Sequence, residues 1–244
     1  MTSAVPEAKL AAGWRGDFAA ASRVLSVTTL VGAACGVFVV GVLGRLAMMA
    51  LAALNPAATG VTSDDGFVMG QFTLAGSVQL GLSGLQIGVV GAACYVAVRG
   101  LLTGPRWFRL VSVSVGPAVV IGAFVVHPDG VDFRILEPLW LCVVLFVALP
   151  AVYVALLHLL GERAIEGWRP HRALLVVGLV PWVVLFPVTA VLAGGFVAHR
   201  AMRHSTTGRA LLASPWPAWI LRVGLAVVFV VSLVNLRSDI VRLS

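Results

Sequence analysis

The chain has 244 residues, of which 60% are hydrophobic and only 11% charged, with a mean hydropathy of +1.02. Soluble domains carry about 25% charged residues, so a water-soluble fold is excluded, and no polar stretch leaves room for a separate soluble domain. The formal charge of +7 resides in bases that flank apolar runs, a membrane-protein distribution, so nucleic acid is not an expected partner.

The elements follow in chain order. Glu7 and Asp17 interrupt the charged N-terminal region, and the first apolar run is too long for a signal sequence, so it reads as a retained span. A helix needs about 20 apolar residues to cross the hydrocarbon. Residues 24–44, 73–98, 139–160, 173–198 and 216–236 meet this length, and 110–126 is shorter but adequate. All must be helices, since an open sheet edge leaves backbone groups unsatisfied in lipid. The expected fold is an all-α, polytopic transmembrane bundle of six spans in one domain. Six crossings put both termini on one side. Eleven of the seventeen bases fall on that side, which makes it the cytoplasm of a multi-pass plasma-membrane protein.

One segment breaks this rule. The stretch 199–212, HRAMRHSTTGRALL, would lie outside yet carries Arg200, Arg203 and Arg209. Two acidic loops, GVTSDDGFVMGQF at 60–72 and HPDGVDFRILEP at 127–138, also face outward. The sequence therefore suggests an outer charge cap of Arg45, Asp64, Asp65, Asp129, Asp132, Arg134, Glu137, Arg200, Arg203 and Arg209. Gly194–Gly195 with Pro181 and Pro187 leaves open an alternative. The run 173–198 would then be a re-entrant hairpin, and Arg200–Arg209 would lie inside. Trp140, Trp216 and Trp219 sit at the expected outer ends and Trp107 at the inner side, as interfacial aromatics do.

The second span carries two stripes. Ser77, Gly81, Gly84, Gly88 and Gly91 recur every three or four residues, and such small residues admit a close helix neighbour. The GxxxG of Gly32 and Gly36 makes the first span its expected partner. Gln79, Ser83 and Gln86 lie on nearly the opposite face. Amides in lipid are costly, so these read as interhelical hydrogen-bond groups or as the wall of a polar conduit. With both faces engaged, this helix would sit inside the bundle. Pro117, Pro150, Pro181 and Pro187 lie within spans three to five and free backbone carbonyls there.

Motifs for chemistry are sparse. GLSG at 81–84 matches the GxSG of rhomboid proteases over four residues, but no histidine lies at the depth of Ser83. His127, Asp129, Asp132 and Glu137, with Asp64 and Asp65, read as structural turns with ion pairing or as a divalent-metal or substrate site, in no recognised ligand spacing. His158 and Glu162, four apart near the inner end of span four, read as an interfacial hydrogen-bonded pair. Cys35, Cys94 and Cys142 stand singly in apolar runs, which suits packing. No catalytic set and no cofactor signature is present. TSDDGFVMGQFTL and HPDGVDFRILEP resemble segments of an uncharacterised six-span membrane protein family of high-GC actinobacteria, a resemblance that implies the fold and no activity. The expected function is a non-catalytic membrane component or subunit of a larger assembly. Its partners would be the lipid bilayer and further copies or other membrane subunits. The alternative is a channel or carrier for a small solute, lined by Gln79, Ser83 and Gln86.

Overall fold

The computed structural model describes residues 13–63 and 66–243. Helix α1 (Trp14–Gly36) runs through a π-helical segment (Val37–Leu43) into α2 (Gly44–Leu54), one continuous 41-residue rod. It is followed by α3 (Leu74–Val98), α4 (Arg106–Val125), the short α5 (Val131–Ile135), α6 (Leu139–Gly167), α7 (Arg172–Val184), α8 (Phe186–His204), α9 (Thr206–Ala213) and α10 (Trp216–Leu243). Among the described residues, extended pairing is limited to one antiparallel bridge, Thr62 with Val68. Five helices are long and apolar enough to cross a membrane: the α1–α2 rod, α3 with its 3-10 extension to Leu101, α4, α6 and α10. The helices α7 and α8 pass the same test as a pair but are bent by 107°.

The helix that organises the bundle is α1, which packs on α3, α6 and α7. Its seam with α3 consists of backbone. A Cβ on Gly32 would lie 2.6 Å from the Gly88 carbonyl oxygen, and one on Gly84 would lie 2.6 Å from that of Gly36. No side chain fits between the two strands of backbone. The seam reaches Gly41, where an added Cβ would stand 3.2 Å from the Cα of Gly81. Five residues separate Gly36 from Gly41, which on a regular α-helix would rotate Gly41 roughly 140° off the stripe. A π turn bonds residue i to i+5, so the segment Val37–Leu43 keeps Gly41 facing α3. Tyr153 of α6 closes the seam from the side. Its hydroxyl donates to the Gly88 carbonyl at 2.8 Å, and its ring occupies the space a Gly91 side chain would need.

Polar side chains fasten α7 to α1. The Ser26 hydroxyl donates to the Leu175 carbonyl (2.9 Å), and the Trp182 indole donates to Thr29 Oγ1 (2.8 Å). Gly178 lets α7 close on Ser26. The contacts advance together along both helices, so α7 runs parallel to α1 as far as Thr29. There Pro187, which lacks an N–H and clashes with the preceding turn, prevents α7 from continuing. Leu185 takes φ −81° and ψ 37°, and α8 departs in a new direction. The Thr189 hydroxyl caps the break by donating to the Trp182 carbonyl at 2.6 Å.

Helix ends gather on two faces. A basic face joins the start of α1, the ends of α3 and α6 and the start of α10. Arg23 donates to the Ile165 and Trp168 carbonyls at the end of α6, and Arg222 donates to the Leu101 carbonyl. A loop face joins α2, α5 and the start of α6, where the Asn55 side chain bonds the backbone of Glu137 twice, each at 2.8 Å. Leu236 of α10 packs there with Leu51, Val126 and Leu136. The start of α1 and the end of α10 therefore lie at opposite faces.

These contacts revise the sequence expectation in its second half. The run 173–198 is not one straight crossing. Arg200 pairs with Asp17 at the start of α1. Asp17 precedes Thr29 by twelve residues, about 18 Å of helix, so α8 returns to the face from which α7 set out. The basic arm of the expected outer cap thus meets the basic face, together with Trp216 and Trp219. The physical reason is the proline-enforced turn at Leu185, which hydropathy does not register. Asp64 and Asp65 lie outside the described residues.

A Gly88→Leu substitution drives a side chain into backbone that cannot retreat. Overpacking costs about 1–3 kcal/mol or more. The expected outcome is a clear drop in the detergent melting temperature, whereas Gly116→Ala, which meets open space, leaves the melt unchanged within error. Equal melts for both variants would refute the seam.

Candidate functional site

Two polar constellations and one exposed face stand out. The first is a cavity of about 410 Å³ near the loop face, where the chain folds back after α2 to reach the start of α3. The Thr73 hydroxyl fixes that start by accepting from the Gly76 amide at 3.1 Å. The cavity is walled by Met48, Met49 and Ala52 of α2, by the returning strand up to Phe72, and by Leu136 and Phe146. Two charged side chains reach it, Arg45 and Asp132, and both are buried. Arg45 Nη2 donates to the Gln71 carbonyl at 3.0 Å, and its guanidinium carbon stands 4.9 Å from the centre of the Phe72 ring. Its Nε is buried without a hydrogen-bond partner.

The second constellation joins α3 to α6 at the basic face. Tyr95 and Arg99 are four apart on one side, His158 and Glu162 four apart on the other. Such pairs share a helix face, and the two helices run parallel here, so the pairs meet in register, Tyr95 with His158 and Arg99 with Glu162. The Tyr95 hydroxyl donates to Glu162 Oε1 at 2.6 Å and lies 2.8 Å from His158 Nδ1. With its one proton committed to the carboxylate, the hydroxyl accepts from Nδ1–H, which fixes that tautomer. Arg99 Nη2 completes the row with Glu162 Oε2 at 3.1 Å. Both carboxylate oxygens are thereby bonded, and the row is a latch between two helices.

The sequence-derived residues distribute as follows. Gln79 and Gln86 are exposed on α3 and Ser83 is half-buried, on the side away from the glycine seam. Helix α3 is thus buried along its glycine face and open along its amide face. Ser83 is twelve residues, about 18 Å, from Tyr95, to which His158 is tied, so the GLSG serine has no imidazole beside it. Asp129 pairs with Arg134 at 3.4 Å in an exposed setting, and Arg134 Nε also donates to the Pro128 carbonyl. His127 and Glu137 are exposed, while Asp132 is buried in α5. Among the described residues no group of three His, Cys, Asp or Glu side chains gathers to hold a metal ion. Arg203 and Arg209 are exposed. Tyr95 and Arg99 were missed in the sequence, although their four-residue spacing at the end of a helix, matching that of His158 and Glu162, was the available signal.

No family model matches the chain, and neither the curated proteins nor the solved structures contain a match.

Replacing Tyr95 by Phe removes the hydroxyl that bridges His158 and Glu162. Leaving a buried polar group without its partner costs about 1–3 kcal/mol. The expected outcome is a lowered melting temperature in Tyr95→Phe and a less than additive further loss when Glu162→Gln is added, since both break the same row. Additive losses would show that the latch is not a unit.

Proposed function

We propose that the chain is a plasma-membrane protein with its basic face in the cytoplasm, acting as a non-catalytic component that assembles through the amide-bearing side of α3. The carrying observation is that Gln79 and Gln86 are exposed on a helix apolar enough to span the bilayer. They lie six and thirteen residues beyond the Thr73 cap, about 9 and 20 Å into the helix. An amide without a partner in hydrocarbon costs several kcal/mol. A second copy offers the same groups. An amide both donates and accepts, so the face is self-complementary about a two-fold axis. Val90 and Cys94 continue the stripe at spacings of four and are also exposed. The carrier alternative requires a water-filled space beside Gln79, Ser83 and Gln86, and the cavity at Arg45 is lined by none of the three.

Charge supports the orientation. With α7 and α8 as a re-entrant pair, thirteen bases and four acids fall to the cytoplasmic side, against four bases and six acids outside. The resulting +9 and −2 obey the positive-inside rule. Six straight crossings would leave the outer side at +1 with the basic segment unexplained.

Oxidative cross-linking tests the assembly on the native chain. Cys94 is the exposed thiol, while Cys35 and Cys142 are buried. A disulfide-linked dimer is expected in membranes, lost in Cys94→Ala and strongly reduced in Gln79→Leu/Gln86→Leu. Undiminished cross-linking in the double leucine variant contradicts the reading.

The topology has its own test. In a Cys94→Ser background, a membrane-impermeant maleimide should label Ser238→Cys in intact cells and Ser205→Cys only after permeabilisation. Labelling of Ser205→Cys from outside restores six straight crossings.

A further inference from the structure

The cavity at Arg45 joins a buried cation to an apolar wall that opens sideways. Arg45 is 9% exposed, and no carboxylate of the described residues lies within 4 Å of it. Its polar contacts are one carbonyl and one aromatic ring, and its Nε is unbonded. A buried guanidinium held this way keeps most of its desolvation cost. An oxyanion is the group that matches a guanidinium fork.

The walls specify the rest of the ligand. Met48, Met49, Phe72 and Phe146 line the space, and methionine adapts to irregular apolar chains. Met49 is 48% and Phe72 67% exposed, so the wall continues onto the lipid-facing surface. Phe146 lies seven residues into α6, about 10 Å below its start, so the cavity descends into the acyl region. Asp132 also lines the cavity.

We propose that this cavity binds one phospholipid of the outer leaflet, with its phosphodiester on Arg45 and an acyl chain along Met48, Met49 and Phe72. A phosphodiester carries one negative charge, and the membrane supplies it laterally. The site is independent of the α3 amide face, and only its assignment to the outer leaflet rests on the orientation proposed above.

Native mass spectrometry of the delipidated full chain, titrated with phosphatidylglycerol, tests this. One lipid is expected to bind the wild type, with affinity reduced about tenfold or more in Arg45→Met, the effect of losing a charge-assisted hydrogen bond. Ala52→Trp fills the cavity while keeping Arg45, and it too is expected to lose the lipid. Wild-type affinity in either variant overturns the proposal. Inorganic phosphate competing as well as the lipid, mole for mole, overturns the role of the apolar wall. A fatty acid binding more tightly than phosphatidylglycerol overturns the phosphodiester assignment.

Discussion

Backbone touching backbone along α1 and α3 is the constraint on which the remaining architecture depends. Lipid chains are as apolar as leucine, so helices in a membrane gain nothing from hiding apolar surface from one another. They associate where close approach multiplies dispersion contacts and lets polar groups meet. Gly32, Gly36 and Gly41 on one helix, with Gly81, Gly84 and Gly88 on the other, provide that approach. The π turn is part of the device, because it corrects the phase of the third glycine. Once the seam has formed, Tyr153 bonds a carbonyl within it, and α6 is drawn against both helices. The other faces of α1 then receive α7, and α6 receives α4.

The second theme is where the polar groups go. Arginines at the basic face answer carbonyls that helix ends leave unsatisfied: Arg23 at the end of α6, Arg222 at the end of α3. Asn55 does the same at the loop face, for the Leu51 carbonyl in the last turn of α2. Within the bundle the polar contacts are short and specific: Ser26 and Thr29 with α7, Tyr95 with His158 and Glu162. Each joins a particular pair of helices at a particular depth. Dispersion supplies attraction without direction, and these contacts supply register.

Much of the fold was legible. Runs of apolar length located the helices that cross, and the alternating three- and four-residue glycine spacing identified α1 as the partner of α3. Hydropathy did not reveal the turn at Leu185, because it counts apolar residues and carries no sign of direction. The sequence nevertheless held the warning, in three arginines assigned to the wrong side of the charge rule. Explaining them by an outer cap preserved six straight spans; Asp17, not the loop aspartates, receives Arg200. The cavity was only half legible. Arg45 was singled out only as part of an outer charge cap, and its neighbours come from α2, a returning loop, α5 and α6, which no local pattern connects. Placing α3 inside the bundle also failed, since amide chemistry says that a face needs company without saying from which chain.

The hinge at Leu185 has a mechanical consequence. A protein whose main helices are locked by their own backbones has a nearly fixed hydrophobic height, and real bilayers vary in thickness by several ångströms among membranes and compositions. The glycine-locked pair cannot shorten or tilt independently. The bent pair can, by opening or closing its angle, and α10, held chiefly by α4, can lean. Adaptation to thicker or thinner membranes is thereby left to the bent pair and to α10.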